Sequence, residues 1–337
     1  MPVDARFYRL KDPLSLEAIA KLTGARLEGD GDVIAHDVGP ASRALAGELC
    51  YHEGEAASAE TISATAAACF ISPGSEAGLP RGVAALITEL PRHAHMCAAS
   101  AILAERSWTT DEVLISPDAK VPASVKFGPG VCISSGVVIG ENSRIGPGTT
   151  IGPGVEIGRD CQIGSSVTIQ SALIGDRVTL SSGARIGEAG FGVMPGPSGL
   201  VDAPQYGRAI LHDGVSIGAN SCVDRGAFDD TILHENVKID NLCHIGHNVS
   251  VGRNTVMAAF AGISGSVVIG ENVQLGGRVG IADHVTVGDG AKLAASVGLF
   301  RDVPAGEMWG GTPAKPFPQF MRELAWLNKQ VRRKPTK

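Results

Sequence analysis

Apolar positions repeat every six residues across most of this chain. The series runs from Ile115 through Val121, Phe127 and Ile133 to Ile169 without a missed step, and again from Leu233 through Ile239 and Ile245 to Leu299. Shorter pieces (Ile174, Leu180, Ile186; Leu211, Ile217, Val223) keep the phase between them. Glycine often follows the apolar position, as at Gly140 and Gly146, and a small or β-branched residue stands four places after it, as at Val131 and Thr149. A helix would carry a period of six around every face. A short strand with a corner every six residues sends one large and one small side chain inward per repeat. That is the pattern of a parallel β-helix, which a Gly-rich disordered tract would not keep in register.

The period organises the rest. Residues 1–112 lack it. Leu14 to Leu22 has helical spacing and stops at Gly24, the runs Ala68–Ile71 and Val83–Ile87 read as strands, and Pro91 to Glu105 reads as a helix. The sequence therefore predicts a mainly β protein in three parts: a small α/β domain (1–112), the β-helix (113–307) and a C-terminal extension (308–337). In the extension a helix over Pro318–Lys334 aligns Phe320, Leu324, Leu327 and Val331. After Leu299 the six-residue period ends. Two stretches interrupt the coils. Residues 188–209 are rich in Gly and Pro and read as a loop, and residues 225–231 add four positions. Insertions in repeat proteins tend to map to the binding face.

Composition narrows the class. With 337 residues, 44% of them hydrophobic, the chain can bury a sizeable core, and its net charge of −6 disfavours a general nucleic-acid binder. The tail is the exception, with Arg322, Lys329, Arg332, Arg333 and Lys334 close together. Seven cysteines include no Cys-x-x-Cys pair. Cys132, Cys161, Cys222 and Cys243 fall at small-residue or turn positions of the repeats, which fits packing roles in a reducing compartment. Residues 1–12 carry no apolar leader and no run is long enough to span a membrane, so the expected location is cytoplasmic.

Candidate chemistry follows from counting coils. Three hexapeptides make one coil of eighteen residues, so residues eighteen apart stack at roughly 4.7–4.9 Å. One coil beyond His247 is Gly265, and two coils beyond is Asp283, beside His284. His247, Gly265 and His284 then share an edge, the histidines on the order of 10 Å apart (two such spacings). A neutral histidine can take a proton from a nucleophile, and a glycine N–H can meet a developing oxyanion. His212 and His234 read as solvated residues and His244 as a coil-surface one. A zinc set of His244, His247 and His284, as in a γ-type carbonic anhydrase, is the competing chemistry, but two coils separate its ends too widely for one ion. A non-catalytic scaffold leaves the aligned edge without a reason.

The segment Asp240-Asn241-Leu242-Cys243-His244-Ile245-Gly246-His247-Asn248 resembles the active-site segment of the UDP-3-O-(3-hydroxyacyl)glucosamine N-acyltransferases of lipid A synthesis. Gly190-Phe191-Gly192, Pro204-Gln205-Tyr206-Gly207-Arg208, Asp224-Arg225-Gly226-Ala227 and Gly311-Thr312-Pro313 match further segments of that family in the same order. The resemblance implies a left-handed β-helix and a homotrimer with active sites in the grooves between subunits. It implies transfer of a 3-hydroxyacyl chain from acyl carrier protein to the 2-amino group of UDP-3-O-acyl-glucosamine, without metal or cofactor. On this chain it makes His247 the general base and Gly265 the oxyanion donor. It places Asp240 and Asn241 near the glucosamine, with His284 and Arg301 as supporting polar groups. It also makes the first domain the uridine-binding one, with Tyr51 as an aromatic platform. The second aromatic and the Asn of the family's uracil grip are missing from His52-Glu53-Gly54-Glu55-Ala56-Ala57. Arg322, Arg332 and Arg333 are the expected contacts for the acidic carrier protein. The related O-acyltransferase acting on UDP-GlcNAc is disfavoured by the N-terminal domain and by the Asp240–Asn248 segment.

Overall fold

The computed structural model describes residues 3–53, 61–108, 114–311 and 316–332. From Lys126 to Trp309 the chain winds through two- to four-residue strands that stack into three parallel sheets of ten, nine and eight strands. Each large apolar residue of the repeat sits beside its counterpart on the next coil. Ile145 is level with Ile163 on the first face, Ile245 with Ile263 and Ile281 on the second, and Val251 with Ile269 on the third. These columns are buried and form one continuous core. The parallel β-helix predicted from the period is therefore the architecture found.

The corners explain much of the remaining composition. Asn142, Asn220, Asn236, Asn248, Asn254 and Asn272 turn the chain in the left-handed region with φ near +60°. Asn tolerates that conformation better than most side chains. Small inward hydroxyls satisfy corner carbonyls that the core would otherwise strand: Thr149 Oγ1 donates to Gly164 O (2.7 Å) and Thr255 Oγ1 to Gly270 O (2.8 Å). Cys161 and Cys243 occupy the same inward small positions and are buried. Cys132 and Cys222 instead face outward on their strands.

The N-terminal segment folds as a five-stranded sheet in the order Arg26–Glu28, Ala84–Ile87, Ala68–Ile71, Glu48–Tyr51, Asp37–Val38, parallel except at its first pair. Helix α1 (Leu16–Thr23) is capped by Ser15 and closed by Gly24 at φ 70°. Helix α2 (Pro91–Ile102) is shorter than its sequence suggests. Leu103–Glu105 leaves it as a strand that pairs with Tyr8–Leu10, which holds the chain's start beside the entry to the coils. Helix α3 covers Phe317–Arg332. Two further expectations change. The 188–209 excursion is no irregular loop but an antiparallel hairpin, Val193–Gly196 with Gly199–Asp202. The coils continue past Leu299, where the period ends, and just beyond the expected boundary at 307, because Val303 bridges Val287 and Met308–Trp309 pairs with Lys292–Leu293. Its unequal spacing, ten residues from Leu299 to Trp309, hides this last partial coil from a count by six.

The hairpin and the 225–231 excursion carry much of the contact between the N-terminal segment and the coils, alongside the Arg6–Glu156 pair (2.8 Å). Met96 of α2, Met194 and Ala203 form a buried apolar patch. Tyr8 Oη donates to Gln205 O (3.0 Å), and Arg208 pairs with both Asp4 (2.8 Å) and Asp230 (2.7 Å). The buried guanidinium of Arg225 donates to Gln205 O (2.9 Å) and pairs with Glu105. These contacts fix α2 and the hairpin over one corner of the solenoid. Among the described residues no helix is long and apolar enough to cross a membrane.

Candidate active-site groove

The corner that α2 and the hairpin overhang follows the second face, between the strands His244–Ile245 and Ser250–Val251. A groove of about 620 Å³ runs along it. Arg92, Phe191, Gly192 and Val193 line it from the overhang. Asp224, His244, His247, Gly265, Asp283 and His284 line it from the coils. The edge that coil-counting marked out is thus one wall of this groove. In strict register Asp283 continues the His247–Gly265 line, while His284 continues the line of Asn248 and Ser266. All three of these, Asn248, Ser266 and His284, hold φ near +60°.

His247 is half-buried and tightly held. A Cβ at Gly190 would stand 2.7 Å from His247 Cβ, and a Cβ at Gly265 would stand 2.6 Å from both Cε1 and Nε2 of its ring. Only glycine fits at either position without moving the imidazole. The N–H of Gly265 makes no hydrogen bond within the described residues and so remains available in the groove. On the other side of the ring, Nδ1 lies 3.0 Å from Oδ1 of Asn248, and that same oxygen accepts the N–H of Ala227 at 3.0 Å. An amide oxygen only accepts, so Nδ1 carries the hydrogen and Nε2 keeps its lone pair. Asn248 is itself held by its N–H donating to Thr231 Oγ1 (2.8 Å). Thr231 closes the excursion, which thereby orients the histidine.

Asp224 lines the same groove from the preceding coil and is only 6% exposed. Burial pushes its carboxyl up to about 7; His247 pulls it back down, Glu188 pushes it further up and Arg225 lowers it. His244 Nε2 stands 3.5 Å from Asp224 Oδ2, so His244 is a wall of the groove rather than a bare surface residue. Although His244, His247 and His284 all line the groove, they form no cluster of three or more His, Cys, Asp or Glu side chains able to hold a metal ion among the described residues.

The remaining predicted residues are spread out. Asp240 and Asn241 sit on the preceding corner, across the second face from His247. There Asn241 Oδ1 accepts the N–H of Ala219 (2.6 Å). Arg301 stands three coils of eighteen beyond His247 and lays its guanidinium over Trp309, 5.1 Å from the ring centroid. Tyr51 ends the Glu48–Tyr51 strand, half-buried, its ring 5.1 Å from that of His95 on α2. Arg322 is exposed on α3. Arg332 ends that helix, and Arg333, like the Gly54–Ala57 and Thr312-Pro313 segments, lies outside the described residues. Asp224, Asn248 and Arg92 were not singled out from the sequence. The Asp224-Arg225-Gly226-Ala227 motif and the Asn that closes the His247 segment were the signals for the first two. Nothing local to Pro91-Arg92 marks the third.

Comparison with known proteins agrees with this architecture. A family model described as bacterial transferase hexapeptide (six repeats) matches residues 136–171, 230–265 and 266–301. The chain is 46% identical to a UDP-3-O-acylglucosamine N-acyltransferase of Caulobacter sp. (strain K31), over 97% of each chain. It is 48% identical to the protein of that name from Caulobacter vibrioides (strain NA1000 / CB15N), again over 97% of each. With that of Methylobacterium sp. (strain 4-46) the identity is 41%, over 98% of this chain and 97% of the other.

Proposed function

The chain belongs to the UDP-3-O-acylglucosamine N-acyltransferase family, and from this premise we propose that it transfers a 3-hydroxyacyl chain from acyl carrier protein to the 2-amino group of a UDP-3-O-acylated glucosamine. The observation that carries the reading is the pairing of His247 with Asn248, which leaves Nε2 free beside the unbonded N–H of Gly265. As the amine attacks the thioester carbonyl, His247 Nε2 takes its proton, a step worth roughly 10²–10⁴-fold. The carbonyl oxygen, now negative, accepts from Gly265 N–H. Collapse of the tetrahedral intermediate expels the carrier thiolate, which regains the proton from His247. Asp224 faces the imidazolium that forms in between.

Asp240 and Asn241 cannot serve this groove from their own corner. In a homotrimer a neighbouring subunit would bring that corner to it. Leu242 and Phe260, apolar yet 48% and 53% exposed on the same corner, support its being covered. Tyr51 would stack on the uracil, and the basic α3 would meet the acidic carrier protein in the cytoplasm. The test is a transfer assay on purified protein, with acyl-carrier thioesters and UDP-3-O-acyl-glucosamine, scored by mass spectrometry. An N-acylated product formed by the native protein and reduced at least a hundredfold by His247→Ala supports the reading. Product from UDP-GlcNAc instead, or full turnover by the variant, overturns it.

A further inference from the structure

Among the described arginines that are not fully exposed, Arg6, Arg185, Arg208 and Arg225 all donate hydrogen bonds to carboxylates or backbone carbonyls. Arg92 differs. Among the described residues its Nε, shielded from solvent, has no hydrogen-bond partner, and its guanidinium joins no ion pair. A guanidinium left unpaired in a partly buried place is unfavourable unless something else completes it. Because Arg92 forms part of the groove wall facing His247 and Gly265, the missing partner belongs to what the groove binds.

Its position says which part of that ligand. Arg92 stands on the first turn of α2, one turn before His95, whose ring lies against Tyr51. The same helix packs on the Val193–Gly196 strand of the hairpin that roofs the groove. Arg92 therefore lies between the Tyr51 platform and the His247 edge. A nucleotide-sugar spanning those two points has its ribose and its diphosphate in between, and only the diphosphate carries the negative charge that an unpaired guanidinium lacks. A guanidinium fork suits phosphate oxygens. We infer that Arg92 binds the diphosphate of the nucleotide-sugar, an assignment that rests on the reading given above. The other phosphate in the reaction is the phosphodiester of the carrier's pantetheine arm, so the test separates the two sources.

Binding of UDP and of uridine to the full-length protein is measured by calorimetry, for the native chain, Arg92→Ala and Arg92→Lys. The native chain is expected to bind UDP at least tenfold more tightly than uridine. In Arg92→Ala that preference disappears while uridine affinity holds, and Arg92→Lys recovers part of it by restoring charge without the fork. In turnover, Arg92→Ala raises KM for the UDP-sugar ten- to a hundredfold and leaves KM for the carrier thioester in place. The assignment is overturned if Arg92→Ala keeps the preference for UDP, or if KM rises for the carrier and not for the sugar, which gives the arginine to the pantetheine phosphate. Failure of the native chain to bind either UDP or uridine removes the nucleotide-sugar reading itself, a different result from the other two. Unchanged uridine binding also shows that the variant is folded.

Discussion

The ring of His247 is set by the residue that follows it: Nδ1 faces Oδ1 of Asn248 at 3.0 Å, while Ala227 N–H occupies the same oxygen from the other side. The second bond matters because it identifies the atom facing the imidazole as oxygen. Asn248 also turns the corner at φ 61°, so the two tasks must be separated experimentally. Glycine accepts that backbone and removes only the acceptor. Asn248→Gly should lower kcat by roughly tenfold or more with little change in KM, the pattern of a contact felt in the transition state. Asn248→Asp, which still accepts at both positions, should keep most activity. Equal losses in both variants would mean that the side chain does not act through its oxygen.

The clamp on the ring makes a second prediction. Gly265 is not in the left-handed region, so alanine there is conformationally allowed, yet its Cβ would lie 2.6 Å from the imidazole. Displacement by a fraction of an ångström at a reacting centre is costly. Gly265→Ala should reduce kcat on the order of 10²-fold, while its melting temperature stays within a few degrees of the native value. A large drop in melting temperature would instead place the glycine's role in coil packing.

How much of this was legible in the sequence depends on whether the coil count held. From His247 forward it holds, and eighteen residues on is Gly265, with Asp283 after another eighteen. Backward, the same count lands on Asp229, which lies in the excursion and pairs with Arg43. The excursion's four extra residues move the true neighbours to 224 and 225, so the buried carboxyl that shares the groove with His247 escaped the count. Arg92 escaped for another reason: it reaches the groove across a domain contact set by Tyr8, Arg208 and Arg225, which no local pattern encodes. The strand ladders were readable because every inward position repeats its chemistry. The groove's roof was not, because it is built once.

Asp224 gives a pH prediction. Its carboxyl stands near 7 in the folded chain against 3.8 when unperturbed. A folded value above the unfolded one means that the protonated form is favoured by folding. The contribution is complete below about pH 4 and is lost as pH rises toward 7, at about 1.4 kcal/mol per pH unit between them. Asp224→Asn removes the titration while keeping the shape. Thermal melts at pH 5 and pH 8 should therefore show the native protein losing more stability across that interval than the variant. Parallel losses would show that the carboxyl ionises normally.

Helix α3 carries the last prediction. Phe320, Leu324, Trp326 and Leu327 are exposed along it, and Arg322 borders a shallow patch with Glu323, Trp326 and Leu327. An apolar strip edged by positive charge suits a small acidic partner, for which acyl carrier protein, the donor in the proposed reaction, is the candidate. Rim charges act mainly on association rate and its salt dependence. The triple variant Arg322→Glu, Arg332→Glu, Arg333→Glu should raise KM for the acyl-carrier substrate several-fold. KM for the UDP-sugar should stay in place, as should activity on a pantetheine thioester with no acidic protein attached. Native rates with the carrier protein should fall as salt is added, and the variant's should depend on salt less steeply. If activity on both acyl donors falls together, the helix serves assembly of the enzyme rather than docking of the carrier.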